Sequence, residues 1–150
     1  MSDVYASIAD ADEELQATLA GILEDRAADA QQRRMLDSYL SELALPAGAT
    51  ALEVGCGTGP VSRIVAEIPE TKEVIGIDPS PVFVDRARQL SSGLPKLEFR
   101  VGDARRLDLA DDGCDLVVFH TVLCHVPDAE TAIREAFRVL RPGGWLALFD

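Results

Sequence analysis

The run Ala51-Leu52-Glu53-Val54-Gly55-Cys56-Gly57-Thr58-Gly59 constrains this chain more than any other stretch. An apolar strand pattern passes directly into three glycines at alternate positions, and a helical pattern follows at once. Glycine has no Cβ and tolerates φ > 0, so such a loop lets a bound molecule lie against bare backbone.

Around that loop the chain alternates. Thr50–Val54 reads as a strand and Pro60–Ile68 as a helix, with Pro60 suited to a first helical position. Val61, Ile64, Val65 and Ile68 form the inner face of that helix. Glu73–Ile77 is a second strand, Pro81 to Leu90 a helix, and Leu97–Val101 a third strand. Asp115–His120 is a near-continuously apolar fourth strand. A helix from about Ala129 to Leu140 sets Ile133, Ala136, Phe137 and Leu140 at helical spacing. Arg141-Pro142-Gly143-Gly144 stops it, and Trp145–Phe149 is the fifth strand. Strands alternating with helices predict an α/β fold: a Rossmann-like parallel sheet with helices on both faces.

An N-terminal helical extension precedes the first strand. Residues from about 10 to 28 carry Leu15, Leu19 and Ile22 on one face, behind an acidic first turn. A second helix over about 30–44 presents Met35 or Leu36, Tyr39 or Leu40, and Leu43. Pro46 and Gly48 end it. Residues 1–46 thus read as a helical cap and 47–150 as the sheet domain. The cap is either a cover for the sheet or a lid on a site. The sequence stops directly after the fifth strand, which would leave Trp145–Phe149 as an apolar edge. The expectation is that C-terminal strands are absent and that more chain, a second copy or another chain covers that edge.

Composition narrows the partners. Hydrophobic residues make up 47% of the 150, and the formal net charge is −12. That charge weighs against nucleic-acid backbones and anionic membranes. Residues 1–30 hold eight acids against Arg26 alone, a net of −7, read as a solvated helix face or as an attractor for a cationic ligand. No apolar run reaches membrane-span length and Met1-Ser2-Asp3 does not open a signal peptide, so the chain reads as cytoplasmic. Cys56, Cys114 and Cys124 are widely spaced, with no metal-ligand or redox pairing.

In a parallel open sheet, ligands bind at the carboxyl ends of the strands, near the switch in strand order. The glycine loop is G-x-G-x-G: a dinucleotide fingerprint needs glycine where Pro60 stands, and no phosphate loop is present. Asp78, at the end of strand two, is placed to accept ribose hydroxyls, or to cap a turn before Pro79. Asp103, in Gly102-Asp103-Ala104, is placed to accept from an exocyclic amine, with the Ala104 N–H beside it.

Together Glu53–Gly59, Gly76-Ile77-Asp78, Gly102-Asp103-Ala104, Asp115–Val126 and Leu140–Gly144 resemble the class I S-adenosylmethionine-dependent methyltransferases, in particular their small-molecule, type 11/25-like branch. The resemblance implies S-adenosyl-L-methionine as cofactor and S-adenosyl-L-homocysteine as product. It implies that Glu53 and the backbone of Gly55, Cys56, Gly57 and Gly59 hold the methionine part. Asp78 would take the ribose, and Pro79 or Ser80 would flank the adenine. Asp103 and Ala104 would bind the adenine edge, and His120 would face the transferred methyl. A sulfonium cation without phosphate suits carboxylates and a glycine loop better than a basic cradle. The protein then mainly aligns an in-line displacement.

A general base is needed only where the accepting atom must lose a proton. His120 and His125, the two histidines, are the candidates, with structural roles the alternative for each. The implied activity is methyl transfer to O, N or C of a small molecule. The alternative is a non-catalytic cofactor-binding module, or a fragment completed by another chain. A nicotinamide oxidoreductase is disfavoured by Pro60.

Overall fold

The computed structural model describes residues 3–150. Its sheet has five parallel strands in the order β3-β2-β1-β4-β5. These are β1 (Ala49–Val54), β2 (Thr71–Asp78), β3 (Leu97–Val101), β4 (Cys114–His120) and β5 (Leu140–Phe149). Strand order reverses between β1 and β4, which opens a crevice at their carboxyl ends. The helices are α1 (Glu13–Ala27), α2 (Ala30–Leu40), α3 (Pro60–Ala66), α4 (Pro81–Leu90) and α5 (Ala129–Val139).

Side-chain alternation splits the core into two layers. Leu52, Val54, Ile75, Ile77, Val117 and Phe119 pack against Ala132, Ala136 and Val139 of α5. Ala51, Val74, Leu116 and Val118 face the other way, onto Leu36 and Leu40 of α2 and Val61 and Val65 of α3. The helices therefore cover both faces, as the alternation predicts. No described helix is long and apolar enough to cross a membrane.

Two predicted helix faces are rotated. On α1 the buried stripe is Gln16, Leu19 and Ala20, with Leu23 packed beside it, while Leu15 and Ile22 are exposed. Buried Gln16 is satisfied: its Oε1 accepts from Ser80 Oγ at 2.6 Å, and its Nε2 donates to Ala11 O at 2.6 Å. A hydrogen-bonded amide replaces the expected leucine contact, so polarity misdirects the periodicity. On α5 the buried residues are Ala132, Ala136 and Val139, and Phe137 stands 62% exposed. Small alanines let α5 approach the sheet closely. α2 stops at Leu40, short of the predicted 44.

β5 begins earlier than predicted. Cys114 pairs with Leu140 and Leu116 with Trp145, so residues 141–144 bulge out of the ladder rather than precede it. The bulge is held by Arg141, whose guanidinium donates to both oxygens of Asp115 at 2.8 and 2.9 Å. Asp115 also accepts the Thr50 N–H at 2.9 Å, which ties the start of β1 to the same point. β5 forms one sheet edge, with Trp145 and Leu148 exposed along it.

Candidate active site

A cavity of about 410 Å³ opens at the carboxyl ends of the strands, within the range of about 300–1,000 Å³ common for small-molecule sites. It brings together Glu53, Gly55, Cys56, Gly57, Asp78, Pro79, Asp103, Ala104, His120 and His125. Gly59 does not line it. Gly59 takes φ +82° at the start of α3, and a Cβ there would meet Phe99 at 2.7 Å. Ser80 is likewise buried outside the cavity wall, where it caps α4 and binds Gln16.

The glycines do more than clear space for a ligand. A Cβ on Gly55 would lie 2.5 Å from the Val122 methyls, and one on Gly57 2.9 Å from Leu23. Both residues have positive φ, at +73° and +53°. The loop is therefore pressed between the segment after β4 and helix α1. Its N–H groups are spent within the protein: Gly55 and Cys56 donate to Ile77 O at 2.7 and 3.0 Å, Gly59 to Cys56 O at 2.8 Å, and Gly57 to Asp78 Oδ2 at 2.9 Å.

Two buried carboxylates dominate the electrostatics. Glu53 is 3% exposed and hydrogen-bonds the Ser62 hydroxyl. Burial pushes its carboxyl up to about 8, and the nearby Asp78 charge adds to the shift. Asp78 is pushed up to about 6 by burial, an effect partly offset by the N–H groups of Ser80 and Gly57. Cys56 beside them is driven well above the ordinary thiol value by burial and then by both acids, so it is no nucleophile. Asp103 differs. It is half-exposed, and Arg105 holds it at 2.6 Å and keeps its carboxyl below the usual range.

Each candidate base has Nδ1 engaged. His120 Nδ1 lies 3.0 Å from Tyr39 Oη, and its ring stacks on Phe149 with centroids 5.1 Å apart. Burial, with help from the nearby Arg26 charge, lowers the His120 pKa, so the ring is neutral at pH 7. His125 Nδ1 lies 2.7 Å from Asp3 and its ring stands against Tyr5. Thr121, between them, takes φ +54°, a strained value for a β-branched residue, and its N–H bonds Phe149 O at 2.6 Å.

The sequence reading missed the helical contributions. Glu24 of α1 accepts from the buried Thr58 hydroxyl and from Arg63 at 2.7 Å, which braces the glycine loop from outside. Tyr39, Arg26 and Tyr5 also reach the site region. One signal was available: Gln16, Leu19, Ala20 and Leu23 recur at i, i+3, i+4 and i+7, a better helical stripe than the one chosen.

Sequence and fold comparisons place the chain in a family. The family described as "Methyltransferase domain" matches residues 52–148, close to two thirds of the chain. The chain belongs to the class I S-adenosylmethionine-dependent methyltransferases. It is 38% identical over 109 residues to the 2-phytyl-1,4-naphtoquinone methyltransferase of Thermosynechococcus vestitus, covering 72% of this chain and 48% of that protein. It is 35% identical over 121 residues to the demethylmenaquinone methyltransferase of Bacillus licheniformis, covering 80% and 52%. A chain of the complex containing the Haloferax volcanii Trm112 methyltransferase activator superposes with TM-score 0.77 at 26% identity, covering 90% of this chain and 57% of that one. The chain thus spans about half the length of these two relatives. S-adenosylmethionine is the cofactor of the family.

Proposed function

We propose that this chain binds S-adenosylmethionine between Glu53 and Asp78 and transfers its methyl group to a small-molecule acceptor. The observation that carries this reading is the pair of carboxylates at the ends of β1 and β2, both raised in pKa by burial. A cationic ligand with hydroxyls and an ammonium group favours their ionised forms. The fit extends to the polar groups on the cavity wall, which are led by the carboxylates of Glu53 and Asp78. Of the three arginines on the cavity wall, Arg33 and Arg105 are already committed to carboxylates.

In this reading residues 47–150 form the cofactor domain and 1–46 its cap. Glu53 receives the ammonium group, and the backbone of Gly55, Cys56 and Gly57 follows the methionine chain. Asp78 takes the ribose hydroxyls. Pro79, Asp103 and Ala104 form the adenine end. His120 stands at the methyl end as a neutral imidazole, able to take a proton at Nε2 where the acceptor must lose one. The bound cofactor supplies a methyl group already activated on a sulfonium. The protein's own work is alignment and the exclusion of water. The named relatives are a 2-phytyl-1,4-naphtoquinone methyltransferase and a demethylmenaquinone methyltransferase, which favours an apolar, ring-bearing acceptor.

Calorimetric titration tests the cofactor half: S-adenosylmethionine and S-adenosylhomocysteine bind, and NAD does not. Turnover of methyl-labelled cofactor with a reduced naphthoquinone tests the transfer. Tight NAD binding without S-adenosylhomocysteine binding would overturn the reading. Cofactor binding without transfer to any small-molecule extract would reduce it to a binding module.

A further inference from the structure

His120 and Phe149 are register partners at the carboxyl ends of β4 and β5. Strand alternation puts His120 on the same face as Leu116 and Val118, the face that α2 and α3 cover. Glu53 stands on that face too, two residues after Ala51 on β1. α2 packs on it through Leu36 and Leu40, both buried. Tyr39 follows Leu36 by three residues, so it leaves the same side of the helix and reaches the strand ends.

Three rings meet there. The Tyr39 and Phe149 rings lie within 8° of parallel with centroids 6.2 Å apart, and His120 stacks on Phe149 at 20° and 5.1 Å. Tyr39 Oη is 3.0 Å from His120 Nδ1. His120 lines the cavity, and Tyr39 and Phe149 stand behind it. Burial, and then the Glu53 charge, push the Tyr39 phenol up, so it stays neutral. Burial keeps the imidazole neutral as well. The contact is therefore a hydrogen bond between two neutral groups. A neutral imidazole has two tautomers, and the partner at one ring nitrogen decides between them. With Nδ1 engaged, Nε2 is the nitrogen left for the cavity.

We infer that Tyr39 is a positioning residue of the methyl-transfer site: its hydroxyl fixes the orientation and the tautomer of His120, and so sets what Nε2 offers to the acceptor. This rests on the reading that puts His120 at the methyl end, and it names what controls that imidazole. A ring with its hydrogen on Nδ1 leaves a lone pair on Nε2 that takes a proton. The other tautomer presents an N–H that holds an acceptor oxygen. Without the hydroxyl both forms are populated, and part of the protein carries the wrong one. Residues 1–46 then do more than cover the sheet, because a side chain of the cap sets the chemistry at the end of β4.

Nitrogen–proton NMR of the imidazole rings reads the tautomer directly, and His125→Gln assigns the signals of the two histidines. The expected result is one dominant His120 tautomer in the wild-type chain. Tyr39→Phe keeps the ring and its stack on Phe149 but removes the hydroxyl. It shifts the tautomer ratio of His120 by about fivefold or more, the bias that one ordinary hydrogen bond imposes. Phe149→Leu removes the stack and keeps the hydroxyl, so the ratio holds. His125, whose Nδ1 faces Asp3, is unchanged in both variants. Averaged tautomers in wild type, a ratio unmoved by Tyr39→Phe, or an equal shift in Phe149→Leu overturns the proposal. Saturating S-adenosylhomocysteine moves the His120 signals. Signals indifferent to the bound molecule would overturn the placement of His120 at the methyl end and leave the control by Tyr39 standing. A wild-type ring with its hydrogen on Nε2, displaced by Tyr39→Phe, supports the positioning role and removes the base role.

Discussion

Asp78 Oδ2 accepts the N–H of Gly57 at 2.9 Å, so the acid at the end of β2 also shapes the glycine loop at the end of β1. Its other oxygen takes the Ser80 N–H at 2.9 Å. One carboxylate thus sets the loop and remains at the cavity wall. Asp78→Ala orphans two N–H groups at once, at about 1–3 kcal/mol each. The expected outcome is a lower melting temperature and a loss of S-adenosylhomocysteine affinity of about a hundredfold, where about 1.4 kcal/mol is tenfold. Asp78→Asn keeps an acceptor for one N–H, so its loss falls between wild type and alanine. Calorimetry and thermal melts separate the two variants.

Glu53 makes the ligand-free protein pH-sensitive in a definite direction. Its folded pKa of about 8 lies above its ordinary value of 4.5, so the folded state binds more protons than the unfolded one between those values. Stability therefore falls as pH rises through that window, and Asp78 adds to the fall between 3.8 and about 6. Below the lower values the contribution is fully present. A cationic ligand needs Glu53 ionised, so binding at pH 7 releases about one proton. Titration in two buffers of different ionisation enthalpy measures that proton. Glu53→Gln abolishes the release and flattens the pH dependence of the melt.

Gly55→Ala drives a Cβ into Val122 at 2.5 Å and imposes φ +73° on an L residue. The two effects together cost about 2–4 kcal/mol. Val122→Ala removes the colliding methyls. The double variant is thus more stable than additivity predicts, with a coupling of about 1–3 kcal/mol. A cycle of denaturant melts reads this directly, and additive losses would mean that the loop moves aside freely.

Glu24→Ala leaves the buried Thr58 hydroxyl and Arg63 without their shared partner. The expected loss is about 1–3 kcal/mol. Hydrogen exchange distinguishes a brace from a lid. A bracing α1 exchanges slowly in wild type with or without cofactor, and faster throughout Glu13–Ala27 in the variant.

Much of this was legible locally. β3 and α4 have the boundaries their residues predict, because Leu97–Val101 alternates apolar and charged residues and Ser80 before Pro81 marks a capped start. The cavity residues were also legible wherever a strand end meets a glycine or an acid, as at Glu53, Asp78 and Asp103. Gly59 lies off the cavity wall, and no local pattern shows it, because a positive φ has the same signature whether a ligand or Phe99 fills the space beside it. Phe137 was misassigned because hydropathy does not say which of two adjacent helical faces finds a partner.

By itself the sequence determined the order of strands and helices and the row of acids along the strand ends. Those features rest on two- and 3.6-residue periods and on turn chemistry, which act between near neighbours. The tertiary structure decided that Gln16 meets Ser80, Glu24 meets Thr58, and Tyr39 meets His120 across 64, 34 and 81 residues of chain. Those contacts exist because strand order reverses at β1 and brings α1 and α2 over the opened crevice. No local pattern carries that information, since packing and desolvation arise only once the layers have closed.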